Sequence, residues 1–480
     1  MTVKVTVKWQ NETFEGVEVD ASSPLDLLHA QLFALTNVPV ERQKVMCKGK
    51  ILKGKDDLAK IKDGARLVLM GTADEIVAAP TTAIVFEEDL TDSQKANLGT
   101  VDVPCGLRNL GNTCYLNSAI ECFRAIPELK ENIIAYGAGG PTARFDVAAN
   151  SPHPVVSSMG QMMMSLDNNV EAVTPMQFLT RFREAFPQFA QRSQSGQGYA
   201  QQDADESLSQ ILYLLRETMK KFPNEQGVSG YSGVNGLFLG EMQSTITLGE
   251  SSSSDSKEEP EIKFHEFTKL ACHISNDTNH LTDGLLAGLS EPIEKYSTLL
   301  GRNAIFNKVD RISKLPPYLI VQFVRFFWKK DTQKKAKILR KVVFPLRLDV
   351  LPYCTPELQK QLIAHRDEAD KKADEEKQAR EQQMADNPDQ KVVVAERVPN
   401  PLTDKASGMY ELFALITHKG RAADAGHYIG WARSKNKGEW YQYDDDVVTK
   451  QTDDDIQKLF GGGDWHMAYV CFFRAIPWRT

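Results

Sequence analysis

Val3, Val5 and Val7 alternate with Lys4, Thr6 and Lys8, the period-two pattern of a half-buried strand, over residues 2 to 8. Phe14, Val17 and Val19 follow the polar turn Gln10 to Glu12 and predict its hairpin partner. A helix is expected next: Ser22 or Ser23 can cap it, Pro24 suits its first turn, and Leu25, Leu28, Leu32 and Leu35 recur at helical spacing. Two short apolar runs, Val45 to Cys47 and Leu67 to Met70, flank the turn-rich stretch Lys48 to Gly64. A ββαββ order within residues 1–72 predicts a small mixed sheet gripping one helix.

Periodicity then fades. Residues 73–103 carry a Pro and an acidic pair and read as a linker, after which a second domain is expected over 104–480. Within it, Leu116, Ala119, Ile120, Phe123 and Ile126 predict a helix that opens at Cys114. The Ser-rich, acidic stretch 249–261 reads as a flexible loop. Residues 356–400 mix charge signs with good helix formers and predict a solvent-exposed helical insertion with its turn. No internal repeat is visible.

Composition narrows the class. With 480 residues, 41% hydrophobic and 25% charged, the chain is long enough for more than one folding unit and ordinary for a globular protein. A formal charge of -7 argues against a phosphate-backbone binder, so nucleic acid is not an expected partner. No apolar run approaches the ~18 residues that span a bilayer, so no membrane is expected either. The segment MTVKVTVKWQ lacks the apolar stretch of a secretory signal, which predicts a cytoplasmic or nuclear protein with reduced thiols. The seven cysteines, at 47, 105, 114, 122, 272, 354 and 471, form no C-x-x-C pair. Neither a disulfide framework nor a structural metal is expected, and no cofactor motif appears.

Cys114 closes the Gly/Asn-rich loop Gly106 to Thr113 at the predicted helix N-terminus, where unpaired backbone N–H groups and the helix dipole favour a thiolate. A thiolate is the nucleophile that acyl transfer from an amide requires. Far downstream, His427 opens a strand that runs to Arg433, turns over Ser434 to Glu439 and returns through Trp440 to Asp444, Asp445 and Asp446. The turn's position puts His427 nearly opposite Asp444, within reach of a carboxylate that fixes an imidazole. A one-residue slip would favour Asp445 or Asp446 equally on geometry alone. The plain alternatives are a small buried Cys, a structural His hydrogen bond and a solvated acidic hairpin end.

Two resemblances weigh against those alternatives. The ββαββ pattern, with Gln43 to Lys50 (QKVMCKGK), is similar to ubiquitin and its hydrophobic recognition segment. The last strand runs on into Met70-Gly71-Thr72-Ala73 without a terminal Gly-Gly, so the resemblance implies a fixed adaptor with Met46 in a contact patch. GLRNLGNTCYLNS resembles the Cys box, and AGHYIGWARSKNKGEWYQYDDDVV the His box, of the papain-like ubiquitin-specific proteases, with Gln201 to Leu208 (QQDADESL) matching a segment between them. Segments 301–304 and 315–327 extend the likeness, which covers about residues 104–476.

The resemblance implies an α+β protein: a β-grasp ubiquitin-like domain, then a catalytic domain of fingers, palm and thumb. It implies Cys114 as nucleophile, His427 as general base and acid, Asp444 as the residue orienting it, and Asn109 as the oxyanion-stabilising side chain. It makes the chain similar to the proteasome-associated branch of the family. The implied substrates are ubiquitin and polyubiquitin conjugates, and the implied dock is the 26S proteasome regulatory particle. A scaffold that regulates proteasomes by ubiquitin occupancy is the alternative, and a protease for another ubiquitin-like modifier a third reading. The fingers, expected within 235–350, lack the zinc-binding cysteines of many relatives and should be held by packing. Loops 329–337 and 420–426 are expected to border the groove for the ubiquitin tail and to gate it.

Overall fold

The computed structural model describes residues 2–10, 12–20, 23–36, 38–72, 103–138, 153–169, 171–193, 198–220, 233–249, 259–329, 334–386, 401–402, 404–422, 425–434, 438–463 and 465–477. The expected linker and the core of the 249–261 loop lie almost wholly outside these residues. The chain divides into two compact units, Met1–Thr100 and Val101–Thr480.

In the first unit, β1 (Thr2–Trp9) and β2 (Glu12–Asp20) form the expected hairpin, followed by α1 (Leu25–Thr36). β3 (Lys44–Cys47), β4 (Lys50–Ile51), the one-turn helix α2 (Lys55–Leu58) and β5 (Arg66–Met70) complete it. The sheet order is β2-β1-β5-β3-β4, with β1 parallel to β5. Leu28 and Leu32 enter a core with Val5, Val7, Val19, Val45, Leu67 and Leu69. Leu35 does not: it is exposed, and Thr36, one turn beyond Leu32, faces inward instead. The two-residue β4 is too short for any periodicity to reveal; it follows a turn in which Lys48 and Gly49 both adopt positive φ. Met46 is half-buried and pairs directly with Val68 and Ile51, both exposed, so these three share one apolar sheet face with Met70.

The second unit begins with helices α3 (Cys114–Arg124), α4 (Pro127–Gly137), α5 (His153–Asn168), α6 (Met176–Ala185), α7 (Ala204–Thr218) and α8 (Gly233–Phe238). Next come β6 (Gly240–Leu248), β7 (Glu261–Phe267), β8 (Lys269–His273), α9 (Leu281–Gly288), β9 (Ser290–Ser297), β10 (Arg302–Lys314), β11 (Tyr318–Val324), β12 (Phe326–Lys329), β13 (Lys334–Lys337) and β14 (Arg347–Asp349). The chain ends with α10 (Pro356–Asp386), β15 (Met409–Ala422), β16 (Ala425–Arg433), β17 (Glu439–Asp444), β18 (Val447–Thr452), α11 (Asp453–Gln457) and β19 (Met467–Ile476).

The large sheet runs β18-β17-β16-β15-β19-β11-β8, with β14 added to β15. Helices cover one face, where Tyr115, Leu116, Ile120 and Phe123 of α3 meet Ile416, Val470 and Phe472. The other face buries Leu412, Leu415, Trp431, Trp440 and Phe473. Burial on both sides explains why β11 (YLIVQFV) and β19 (MAYVCFFRAI) are nearly continuous apolar runs.

A separate four-stranded sheet, β7-β6-β10-β9, occupies the expected fingers region. Its outer core is small, built from Ile246, Ala304 and Phe306. Packing is not its only support: Lys308 joins Glu291 at 2.9 Å and Asp310 at 3.2 Å, and Ser244 donates to Asp310 at 2.5 Å across neighbouring strands. Helix α10 (Pro356–Asp386) is the expected charged helix, with one packed side. Its first half is mostly exposed, but one side packs on the domain: Leu362 and Ala369 are buried and Arg366 pairs with Asp349 at 2.7 Å. Residues 387–400 of the expected insertion lie outside the described residues.

Candidate active site

The loop before α3 is shaped by contacts that small residues permit. Gly111 and Asn112 take positive φ, and a Cβ on Gly106 would stand 2.4 Å from the carbonyl oxygen of Asp445. Leu107 N–H donates to that same carbonyl at 3.0 Å, which joins the Cys loop to the end of β17. Thr113 precedes the helix, and Cys114 is its first residue. Its side chain is only 2% exposed, so the thiol lies at the expected helix N-terminus but shielded from solvent.

His427 and Asp444 meet on adjacent strands, with His427 Nε2 and Asp444 Oδ1 2.5 Å apart. The hairpin register differs from the expected one. β16 pairs Gly430 with Tyr443 and Arg433 with Trp440, which would set His427 opposite Asp446 if extended. Asp444 therefore reaches His427 as a diagonal neighbour two residues back, a span a carboxylate and an imidazole can bridge. The Cys114 thiol lies close enough to the same imidazole to bear on its titration. The Asp444 hydrogen bond foremost, and the neighbouring Cys114 thiol after it, raise the His427 pKa from 6.5 to about 10. The Asp444 carboxyl is held below its ordinary range by the same hydrogen bond.

The three aspartates, equivalent in sequence, have three environments. Asp445 takes positive φ and turns inward, where Asn109 Nδ2 and Asn117 Nδ2 each donate to its carboxylate at 2.8 Å. Burial pushes its pKa up, opposed by those two bonds. Asp446 is exposed. Asn109 is fixed at both ends: its Oδ1 accepts from Gly111 N–H at 2.9 Å, while its amide is tied to Asp445. One N–H of that amide remains for a substrate.

Asp445 and Asn117 join the site, through hydrogen bonds to it, without having been assigned by spacing. Asn117 is 3% exposed, on a helix that also carries Ser118, Glu121 and Arg124, so its sequence position alone did not mark it. Among the described residues, the one group of three side chains able to converge on a metal is His427, Asp444 and Asp445, each already engaged within the protein.

A cavity of about 250 Å³ is lined by Asp203, Asp205, Glu206, Gln322, Val324, Arg325, Phe326, Phe327 and Tyr469, three carboxylates against one guanidinium. The QQDADE segment thus becomes the acidic wall of a groove. Asp203 caps α7 by accepting from Asp205 N–H at 2.8 Å, and Tyr469 donates to it at 2.7 Å. Lys269 Nζ holds Asp205 at 2.6 Å. The hairpin β12-β13 forms another side of the groove, and the β15-β16 turn stands beside His427. Residues 330–333 and 423–424 of the two expected gating loops lie outside the described residues.

Residues 105–473 match the family described as ubiquitin carboxyl-terminal hydrolase, and residues 2–74 match the ubiquitin family. "Ubiquitin carboxyl-terminal hydrolase 6" of Arabidopsis thaliana is 42% identical, covering 98% of each chain. "Ubiquitin carboxyl-terminal hydrolase 14" of Caenorhabditis elegans is 35% identical over 98% of this chain and 93% of its own. In fold, the second unit resembles a solved structure titled "Structure of the SAGA Ubp8/Sgf11/Sus1/Sgf73 DUB module bound to ubiquitin aldehyde", with a TM-score of 0.52, 17% identity and 78% and 70% of the two chains covered. A Cys–His–Asp line at a helix N-terminus, set in a chain matched to these relatives almost end to end, makes the protein a member of the ubiquitin carboxyl-terminal hydrolase family: a cysteine-type deubiquitinating peptidase behind an N-terminal ubiquitin-like domain.

Proposed function

We propose that the protein removes ubiquitin from conjugates held at the proteasome regulatory particle, recycling ubiquitin in cytoplasm and nucleus, with Cys114 as nucleophile. The observation that carries this reading is the shared imidazole: His427 is hydrogen-bonded to Asp444 and has the Cys114 thiol close enough to raise its pKa. Cys114 attacks the carbonyl carbon of ubiquitin's terminal residue, and imidazolium His427 passes its proton to the departing lysine amine. The thioester is then hydrolysed by a water that His427 deprotonates. Asp444 keeps the imidazole oriented. Asn109 Nδ2, fixed by Asp445, donates to the developing oxyanion, a contribution of about 3 kcal/mol by analogy with other acyl-transfer enzymes.

The acidic groove suits a basic, extended chain end. Tethering is assigned to the face made of Met46, Ile51, Val68 and Met70, an exposed apolar strip of the kind that marks contact with another protein. Hydrolysis of a fluorogenic ubiquitin C-terminal amide, by wild type and Cys114→Ala, each with and without purified proteasomes, tests both parts. Loss of turnover in Cys114→Ala and stimulation of wild type by proteasomes are expected. Turnover by Cys114→Ala would overturn the catalytic assignment, and indifference to proteasomes the tethering one.

A further inference from the structure

Lys337, at the end of β13, is nearly buried, with 8% of its surface exposed. Its ammonium donates to three acceptors on β15: His418 Nδ1 at 2.8 Å, the His418 carbonyl at 2.7 Å and the Gly420 carbonyl at 3.1 Å. The two carbonyls bracket Lys419, and Lys419 is the direct register partner of His427 on β16. On its own hairpin, Lys337 is the register partner of Phe326, which lines the acidic groove. The Phe326 ring also packs edge-on against His418, with centroids 5.4 Å apart. A continuous path thus runs from groove wall to catalytic strand: Phe326, Lys337, the 418–420 backbone, His427.

We propose that Lys337 is a positioning residue for catalysis, a clamp that fixes the strand opposite His427 and makes the alignment of His427 on Cys114 depend on the hairpin lining the groove. The clamp rests on His427 being the general base. Its chemistry is specific. Three carbonyl or imidazole lone pairs converge on one ammonium, which a methyl-ended side chain of similar length fills sterically but cannot bond. Because Lys337 donates to Nδ1, His418 must carry its proton on Nε2, an atom that is buried without a hydrogen-bond partner in the structure. Burial, with Lys337 nearby, keeps that ring neutral, its pKa lowered to about 3.

The test compares Lys337→Met and Lys337→Arg with wild type, Cys114→Ala and His427→Ala, all as full-length chains hydrolysing a fluorogenic ubiquitin amide. Lys337→Met is expected to lower kcat between about tenfold and a hundredfold with KM nearly unchanged, since the loss is one of alignment. Its alkaline limb should also move towards neutrality. His427 faces Cys114, Asp444, Asp445, His418, His466 and Lys419, and it keeps its raised pKa only while aligned with the first two. Lys337→Arg, which keeps charge and donors, should recover part of kcat. A folded Lys337→Met with wild-type kcat and pH profile overturns the clamp. Hydrolysis surviving in Cys114→Ala or His427→Ala overturns instead the reading on which it rests. Should Lys337→Met fail to fold, ¹⁵N spectra of wild type decide: His418 as the neutral Nε2–H tautomer at pH 6 supports the clamp, and a protonated Nδ1 overturns it.

Discussion

Asp444 and Asp445 are neighbours with opposite assignments, and their substitution separates two kinds of catalytic help. Asp444→Asn leaves an amide that no longer fixes the productive imidazole tautomer, so kcat is expected to fall by about 10²-fold or more. Asp445→Asn disturbs Asn109 and Asn117 and should lower kcat by about tenfold to a hundredfold, through the oxyanion donor. Asp446→Asn, at an exposed side chain, should change little. Parallel kinetics check the order, and a largest loss at 446 would reject it. Cys114 also fills core volume, so Cys114→Ala should cost about 1 kcal/mol of stability besides its chemistry, measurable by denaturant titration.

Titration of the histidines near the site gives a pH window. Burial depresses His418 to about 3 and His466 to about 4, against an ordinary value of 6.5. Below pH 6.5 the unfolded chain binds protons at these rings while the folded chain does not. Stability should therefore decline as pH falls from 6.5 towards 4, as far as these two rings are concerned. His427 acts in the opposite sense: its raised pKa stabilises fully below 6.5, and that contribution is lost as pH rises through about 10. His418→Gln should flatten the acid slope in thermal melts taken across this range.

At the scale of elements, the sequence carried the chemistry further than the register. The apolar spacing after Cys114 located α3 because Leu116, Ala119, Ile120 and Phe123 all enter the same core. Hairpin arithmetic brought His427 to the acidic end but erred by one position in its midpoint, because strand pairing shifts in steps a polar turn does not reveal. The choice among three aspartates depended on the positive φ at Asp445, a backbone state with no local spelling. Leu35 misled because one helical face narrows at its last turn. In α10, charge density hid the buried Leu362 and Ala369.

The β15-β16 turn carries a prediction at this scale. Cys114 is 2% exposed while His427 and Asp444 are part-exposed, and the gate expected at residues 420–426 can be tested by shortening it. Replacing residues 421–425 with a short glycine turn should raise free-enzyme activity and shrink stimulation by proteasomes, since less of the population is then closed. Unchanged basal activity with undiminished stimulation, in a folded variant, would exclude this turn as the cover.

Across the whole molecule, the two units divide the work. The second holds every residue assigned to catalysis, and the first offers the Met46, Ile51, Val68 and Met70 face. Deleting residues 1–75 should therefore abolish most co-sedimentation with proteasomes while free-enzyme hydrolysis barely changes. Co-sedimentation at full-length levels would move the dock to the second unit.

On the proposed function, one thiol among seven, that of Cys114, performs the chemistry. Cys105 and Cys122 are the nearest rivals in sequence, and burial raises the pKa of both. Of these three thiols, only Cys114 is close enough to His427 to bear on its titration. Labelling the full-length protein with ubiquitin bearing a C-terminal electrophile, followed by peptide mass spectrometry, tests this directly. The account predicts a single adduct on Cys114, absent from Cys114→Ala; an adduct on Cys105 or Cys122 would contradict it.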